Sequence, residues 1–347
     1  MPVIQSALAD TRCAYLSMNG VLKELNAILG TSYTLNHPVL PSVLESFIRQ
    51  DYDFGTLYAH DRERREYLVM KSKFPDSRKA YPRRVWDLYA NRVLPCWVPL
   101  DMCPSPISHA WVSDDECIEV WTPINGYEWP VPIPKDTDLN LVRIELLNLG
   151  MEYVWLDVLC LRQKGGQRED LHREEWKIDV PTIGAVYLCT RVVYYLNGLG
   201  RPFFLKSGDL KSDRSWFRRA WMLQEASNMY IIAGESDVHQ MDAKMQRIVD
   251  RRLKSLQDLM FKSVFLILQN MQNRVSTNPW DRVTGLAYPL CQKFILIYNE
   301  DESEEDAWGS LVDAMRMEHH AGLLFIYPEP GNGRKCWRPS WDQIMKM

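Results

Sequence analysis

The sequence contains none of the short motifs that mark the commonest zinc, nucleotide and hydrolase sites. Its eight cysteines form no CxxC pair and lie near no histidine pair at zinc-ligand spacing, so we predict no metal site. It also has no GxGxxG, GxxxxGKS/T or GxSxG stretch. The usual dinucleotide-binding, P-loop and nucleophile-elbow interpretations are therefore unsupported.

The chain also lacks a strong charge of one sign and a long apolar run. A formal net charge of -4 and a pI near 6.0 give no overall basic field, which argues against nucleic acid as a partner. No apolar run reaches membrane-spanning length, and the first residues do not form a secretory signal. We therefore expect a reduced, cytoplasmic protein whose cysteines act mainly as small buried apolar residues.

Composition and pattern divide the chain into three predicted regions. With 46% apolar and 25% charged residues in 347, the sequence is typical of a folded protein with a sizeable core. Residues 1–78 look like a helical N-terminal extension, and a polar, basic stretch at 72–84 spans its predicted boundary with the next region. Residues 79–235 form the predicted α/β core, and residues 236–347 form a mostly helical C-terminal region.

Short apolar segments alternate with helical patterns in the predicted core. The strand candidates are PISHAW, EYVWLDVLC, RVVYYLNG and NMYIIAG. One helix should lie at KDTDLNLVRIELLNLG, with Asp136 or Asp138 as its cap and Gly150 as its stop. Another should lie around WKIDVPTIGAVYLCT, with Pro181 near a start or a kink. This alternation predicts an open, mostly parallel, doubly wound sheet of the α/β class.

In such a sheet, ligands bind beyond the carboxyl ends of the strands. Polar and aromatic side chains at those ends are therefore the candidate ligand contacts. After the first strand these are Ser108, His109 and Trp111, and after the second they are Asp157, Arg162 and Gln163. Asp157 serves equally well as a cap for a neighbouring loop. Cys160 is more simply a buried, inert thiol than a nucleophile paired with His109.

The stretch DRSWFRRAWMLQE, residues 213–225, raises a separate question. If it is a helix that starts after Ser215, then Phe217, Trp221 and Glu225 share one face, and the carboxylate lies on the apolar side. One explanation is a buried ion pair between Glu225 and an arginine. The other is a catalytic carboxylate in a cleft.

Four segments in fixed order resemble the motifs of the fungal heterokaryon-incompatibility (HET) domain family. They are PISHAW, EYVWLDVLCLRQ, VPTIGAVY and SWFRRAWMLQE, which are similar to LSHxWG, WIDxLCIxQ, M..IY..A and RGWTLQE. The resemblance covers roughly residues 80–235. Val112 stands where the family has glycine, and Arg162 stands where it has an acidic residue.

The resemblance implies a role in programmed cell death after non-self recognition and a fold similar to that of TIR domains. Some TIR domains cleave NAD at the nicotinamide glycosidic bond with a glutamate in a WCxxE motif, and WMLQE matches its spacing with Trp221 and Glu225. Glu225 is thus the implied catalytic residue, and NAD is a substrate rather than a cofactor. Ser108 and Arg162 would contact phosphate or ribose, and Trp111 or Trp221 would stack on a base.

Two alternatives stay open at this point. The chain could be a non-enzymatic module that self-associates or binds a signalling protein, with Glu225 in a structural ion pair. It could also be a different enzyme on the same scaffold, for example in secondary metabolism, with acidic loops such as SDDECIE holding a metal.

Overall fold

The computed structural model describes most of the chain. The described residues are 2–36, 40–60, 82–96, 103–203, 212, 214–234, 243–259, 263–291, 298–299, 301–325 and 327–347. The predicted domain boundaries, at 78/79 and at 235/236, lie outside these residues, as does most of the basic stretch at 72–84. No helix in the described part of the chain is both long enough and apolar enough to cross a membrane.

Within these residues, eight strands form two sheets. The strands are β1 (Arg84–Asp87), β2 (Arg92–Pro95), β3 (Ser105–His109), β4 (Cys117–Val120), β5 (Val131–Pro134), β6 (Tyr153–Leu156), β7 (Val192–Tyr195) and β8 (Tyr230–Ile232). Six of them form one sheet in the order β2-β1-β6-β3-β7-β8, and β4 pairs with β5. The predicted α/β class with a mostly parallel sheet is confirmed.

The order of the parallel strands locates the edge where a ligand is expected. Strands β6, β3, β7 and β8 are parallel to one another, whereas β1 is antiparallel to β2 and to β6. Strand β3 comes first of these four along the chain, yet it lies between β6 and β7. The strand order therefore reverses at β3, because the strands that follow it in sequence lie on both of its sides. In such sheets ligands bind beside this reversal, at the carboxyl ends of the strands.

The hairpin of β1 and β2 was not foreseen from sequence patterns. Each strand is only four residues long, and the sequence feature that indicates the hairpin is the turn between them. Asp87 Oδ1 accepts hydrogen bonds from the backbone nitrogens of Tyr89 (2.8 Å) and Ala90 (3.0 Å), and Asn91 has a φ of 55°. An aspartate that caps its own turn and an asparagine in the left-handed region are typical of such a tight connection.

The helices surround this sheet and extend from it at both ends of the chain. They are α1 (Ser6–Ala9), α2 (Cys13–Leu29), α3 (Leu40–Arg49), α4 (Leu139–Asn148), α5 (Asp157–Cys160), α6 (Glu169–Cys189), α7 (Met222–Glu225), α8 (Ala243–Leu259), α9 (Val264–Gln272), α10 (Trp280–Thr284), α11 (Ala287–Leu290), α12 (Glu304–Ala314), α13 (Met317–Phe325) and α14 (Trp341–Met345). Buried side chains of α8 to α14 share one apolar core with the sheet. Helices α1 to α3 form a second apolar cluster with Ala90 and Leu94 of the hairpin.

Helix α4 begins and ends where the sequence predicts. Asp138 Oδ1 accepts a hydrogen bond of 2.8 Å from the backbone nitrogen of Asn140, which satisfies a donor of the first turn. Gly150 follows the helix with a φ of 77°, a conformation that glycine adopts without steric cost.

Helix α6 is longer than predicted and contains Pro181 in its interior. It begins at Glu169, so Pro181 does not mark its start. A proline leaves the carbonyl four residues earlier without its helical donor. That carbonyl belongs to Lys177, and it accepts a hydrogen bond of 3.2 Å from the backbone nitrogen of Tyr298. A contact distant in sequence thus replaces the bond that the proline removes.

Two local predictions were wrong. The segment EYVWLDVLC is not one strand, because the strand ends at Leu156 and Asp157 begins the short helix α5. The run from Ser215 to Glu225 is not one helix, because Arg219 has an extended backbone between the 3-10 turn Trp216–Arg218 and α7. Backbone hydrogen bonds from Ala220 to Val275 (2.9 Å) and from Val275 to Arg218 (2.7 Å) hold this break open.

Candidate functional site

The centre of the candidate site is a contact between Ser108 and Glu225. Ser108 Oγ donates a hydrogen bond of 2.5 Å to Glu225 Oε2 and accepts one of 2.6 Å from Trp216 Nε1. Ser108 lies in β3 opposite Tyr194 of β7, and the Tyr194 hydroxyl donates to the Glu225 carbonyl at 2.8 Å. The carboxylate thus lies at the reversal of the parallel strands, where it is buried rather than exposed in an open cleft. We call Ser108, His109, Asp157, Arg219 and Glu225 the edge cluster.

Arg219 was not among the predicted site residues, although it stands at the arginine of the motif RGWTLQE. Its Nη1 atom donates to the His109 carbonyl and lies 3.8 Å from Glu225 Oε2. Its guanidinium also lies 5.8 Å from the centre of the Trp111 ring, within cation-π range. The extended backbone at Arg219 brings this side chain to the strand edge. Arg219 therefore supplies the arginine partner that the structural explanation of Glu225 requires.

His109 and Asp157 form the second polar pair of the edge cluster. His109 Nε2 lies 3.0 Å from Asp157 Oδ1, and the same oxygen accepts a hydrogen bond of 2.8 Å from the backbone nitrogen of Val158. Burial raises the pKa of Asp157, but the charge and hydrogen bond of His109, aided by Arg219, outweigh it and hold that pKa below its usual value. Asp157 therefore stays a carboxylate at neutral pH.

Trp111 is the exposed part of this site. Its side chain is 48% exposed, and its ring stacks on that of His109 with centroids 6.0 Å apart. The edge cluster beneath it is much less accessible, because the side chains of Glu225 and Arg219 are 6% and 12% exposed. Through Arg219, Glu225 is linked to an aromatic surface that a planar ligand can reach.

The other predicted site residues lie away from these contacts. Arg162 Nη2 binds Glu128 Oε2 at 2.7 Å, and its guanidinium lies 5.0 Å from the Trp129 ring centre. Gln163 Nε2 donates to the Leu161 carbonyl at 2.8 Å. Trp221 packs against the apolar core. Arg162 has no described contact with the edge cluster, because α5 turns the chain away after Asp157. Gln163 and Trp221 reach only its backbone: Gln163 Nε2 donates to the Asp157 carbonyl at 3.5 Å, and the Trp221 carbonyl accepts from the Glu225 nitrogen at 3.3 Å.

The edge cluster holds two carboxylate side chains, those of Asp157 and Glu225, in a hydrogen-bonded and largely buried setting beside Arg219. The charge of such a carboxylate stabilises positive charge on a neighbouring group more strongly than it would in water. Burial, together with the charges of Glu225 and Asp157, also raises the pKa of Tyr187 well above its usual value, so that phenol is neutral. Among the described residues, no group of three or more His, Cys, Asp or Glu side chains is arranged to hold a metal ion.

Comparison of the chain with protein-family models, curated proteins and solved structures found no match in any of the three. The resemblance to the HET family therefore rests on the four ordered motifs. Three of them supply residues of the edge cluster: Ser108 and His109 come from PISHAW, Asp157 from EYVWLDVLCLRQ, and Glu225 from SWFRRAWMLQE.

Proposed function

We propose that this chain is an intracellular signalling effector of the HET type, with a TIR-like doubly wound core, that cleaves NAD at the nicotinamide glycosidic bond. One observation carries the proposal. A carboxylate from WMLQE contacts Ser108 of β3, beside the reversal of the parallel strands. In α/β sheets this is the position where nucleotide ligands bind.

The chemistry needs few groups. The bond between ribose C1′ and the nicotinamide nitrogen breaks, and nicotinamide leaves with the electron pair. The Glu225 carboxylate stabilises the positive charge that develops on the ribose. Water then adds to C1′ and gives its proton to a carboxylate or to solvent, so the products are nicotinamide, ADP-ribose and a proton. NAD is the substrate, and the step requires no cofactor.

Access to Glu225 depends on Arg219 and Trp111. Arg219 lies between Glu225 and the exposed Trp111 ring, so the ribose reaches the carboxylate only when the Arg219 side chain moves. Trp111 then offers a stacking surface for nicotinamide or adenine, and the pair of His109 and Asp157 offers polar contacts beside it. The closed arrangement corresponds, in this proposal, to the resting state of an effector that assembly activates.

The test is direct measurement of NAD cleavage by the purified chain over a wide range of protein concentration. We expect nicotinamide and ADP-ribose in equal amounts, with a rate per molecule that rises as the protein assembles. Absence of both products at every concentration that gives assembly would exclude the hydrolase. Release of nicotinamide without ADP-ribose would show that the ADP-ribosyl group is transferred to an acceptor other than water, which contradicts hydrolysis.

A second candidate is favoured by the burial of Glu225. A carboxylate that is 6% exposed and lies 3.8 Å from an arginine is also what a structural ion pair looks like. In that case the chain is a non-enzymatic module that self-associates or binds a signalling protein. Sedimentation velocity combined with the NAD assay separates the two candidates, because both can form oligomers and only the hydrolase turns over NAD in them.

A further inference from the structure

A separate pocket lies between the 3-10 turn Trp216–Arg218 and the end of α9. Its volume is about 270 Å³. Its lining consists of one aromatic ring, two arginines and three amide side chains, namely Phe217, Arg218, Gln269, Asn270, Asn273 and Arg274. None of these residues belongs to the edge cluster, and no acidic residue is among them. We call this the arginine pocket.

Arg274 is a buried cation without a described carboxylate partner. It is 7% exposed, and its Nη1 atom donates to the carbonyls of Phe217 (2.9 Å) and Arg219 (3.2 Å). Its Nε atom is buried with no hydrogen-bond partner, and none of the described hydrogen bonds uses Nη2. Buried charges are normally paired, because removing them from water is costly. The neutral carbonyls that contact Arg274 do not balance its charge.

Arg218 adds a second positive charge to the same pocket. Burial, reinforced by the nearby charge of Arg218, lowers the pKa of Arg274 to about 10. Even so, Arg274 remains a cation at neutral pH. An anion beside the Arg274 guanidinium would balance the charge that its neutral carbonyl partners leave uncompensated.

We propose that the arginine pocket binds a phosphate group, held by Arg218 and Arg274 and by the amides of Asn270 and Asn273. Guanidinium groups match phosphate oxygens with paired hydrogen bonds, and side-chain amides donate further ones. The pocket is somewhat smaller than the roughly 300–1,000 Å³ of sites for drug-sized ligands. It therefore accepts free phosphate or the phosphate end of a larger molecule whose remainder lies outside.

Bound phosphate would also act on the segment that carries Arg219. Arg274 Nη1 contacts the carbonyl of Arg219, an edge-cluster residue whose side chain lies 3.8 Å from Glu225 Oε2. A phosphate held by Arg218 thus lies beside the next residue in the chain, Arg219, whose side chain encloses Glu225. Binding itself is independent of NAD cleavage, and it is measured without any turnover.

The experiment is calorimetric titration of the full chain with inorganic phosphate and with ribose 5-phosphate, at constant ionic strength set by chloride. Ribose is the uncharged control. We expect saturable binding of phosphate, none of ribose, and a rise in Tm on adding phosphate. Tighter binding of ribose 5-phosphate would identify a phosphate ester as the ligand, tighter binding of inorganic phosphate would identify the free anion, and equal affinities would show that the pocket recognises the phosphate group alone. Absence of saturable binding of either compound would overturn the proposal.

Two matched substitutions locate the site. Asn273 is exposed at the rim of the pocket, so Asn273→Asp adds a negative charge there with little risk to folding. Asn140→Asp makes the same change at an exposed position of α4. In Asn273→Asp, repulsion between the new carboxylate and phosphate a few ångströms away should weaken phosphate binding about tenfold or more relative to wild type. In Asn140→Asp, phosphate affinity should stay within about twofold of wild type.

A third variant tests the arginines without removing the buried one. Arg218→Gln keeps a polar side chain and removes one of the two charges, so phosphate affinity falls by about tenfold or more. Unchanged affinity in both Asn273→Asp and Arg218→Gln would show that phosphate binds elsewhere, and the assignment of this pocket would be wrong.

Discussion

Ser108 Oγ lies 2.5 Å from Glu225 Oε2, although the two residues are 117 positions apart in the sequence. The contact joins β3 to the short helix α7 at the carboxyl edge of the parallel strands. Trp216 Nε1 donates to the same serine oxygen, so one hydroxyl connects an indole and a carboxylate. Because all three groups are buried, removing the hydroxyl leaves polar atoms that no solvent can reach.

Replacing Ser108 by alanine tests this connection. Ser108→Ala removes the partner of Trp216 Nε1 and of Glu225 Oε2, and we expect the free energy of unfolding to fall by about 1–3 kcal/mol. Urea denaturation monitored by tryptophan fluorescence measures this change. The matched control is Ser215→Ala, because the Ser215 side chain makes no capping hydrogen bond and its loss should cost no more than about 0.5 kcal/mol. Equal losses in the two variants would contradict the role of Ser108.

The pairing of Asp157 with His109 predicts a dependence of stability on acid. The pKa of Asp157 is lower in the folded chain than in the unfolded chain, where an aspartate titrates near about 3.9. Its stabilisation is therefore fully present above that pH and is lost as the pH falls through the folded pKa. Unfolding measured from pH 6 to pH 3 should show wild type losing its advantage over Asp157→Asn as the solution is acidified. A difference that stays constant over this range would contradict the pairing.

Much of the sheet could be predicted from local pattern. Buried parallel strands are short apolar runs, and β3, β6, β7 and β8 all fall within runs of this kind. The strand-edge rule also places Ser108, His109 and Asp157 near one another before any coordinates are known. The match of WMLQE to a motif then adds Glu225, although it does not show how the carboxylate is held.

The parts that could not be predicted depend on contacts distant in sequence. Arg219 reaches the edge cluster because its backbone pairs with Val275, and nothing within the segment 213–225 encodes that partner. Arg162 follows a strand end but turns towards Glu128, since α5 redirects the chain. At Arg219 a tertiary contact overrides the local helical pattern, and before Arg162 a short helix replaces the end of the predicted strand.

The hydrogen bond from Tyr298 that replaces the one removed by Pro181 leads to a prediction about stability. A proline inside a helix usually costs about 3 kcal/mol relative to alanine, partly through the hydrogen bond that it removes. Here Tyr298 already supplies the donor for the Lys177 carbonyl. We therefore expect Pro181→Ala to stabilise the protein by less than about 1 kcal/mol in urea denaturation. A gain near the usual cost would show that the replacement bond is ineffective.

Arg162 should affect stability without affecting the proposed reaction. Arg162→Lys loses the forked guanidinium that contacts Glu128 and covers the Trp129 ring, which should cost about 1.5–3 kcal/mol. None of its described contacts reaches the edge cluster, so NAD cleavage per folded molecule should stay within about twofold of wild type. A large loss of turnover in fully folded Arg162→Lys would place this residue at the substrate instead.

The most direct test of the central claim compares two glutamates. Glu145 accepts hydrogen bonds from Tyr195 (2.7 Å) and from the backbone of Gly234 (2.7 Å), so it is a well-connected carboxylate outside the edge cluster. The measurement is the rate of nicotinamide release from NAD by folded, assembled Glu225→Gln and Glu145→Gln, each checked by circular dichroism. We expect Glu225→Gln to lower the rate by about 10²-fold or more and Glu145→Gln to retain most of it. Equal rates in the two variants would show that Glu225 supports the fold and not the reaction.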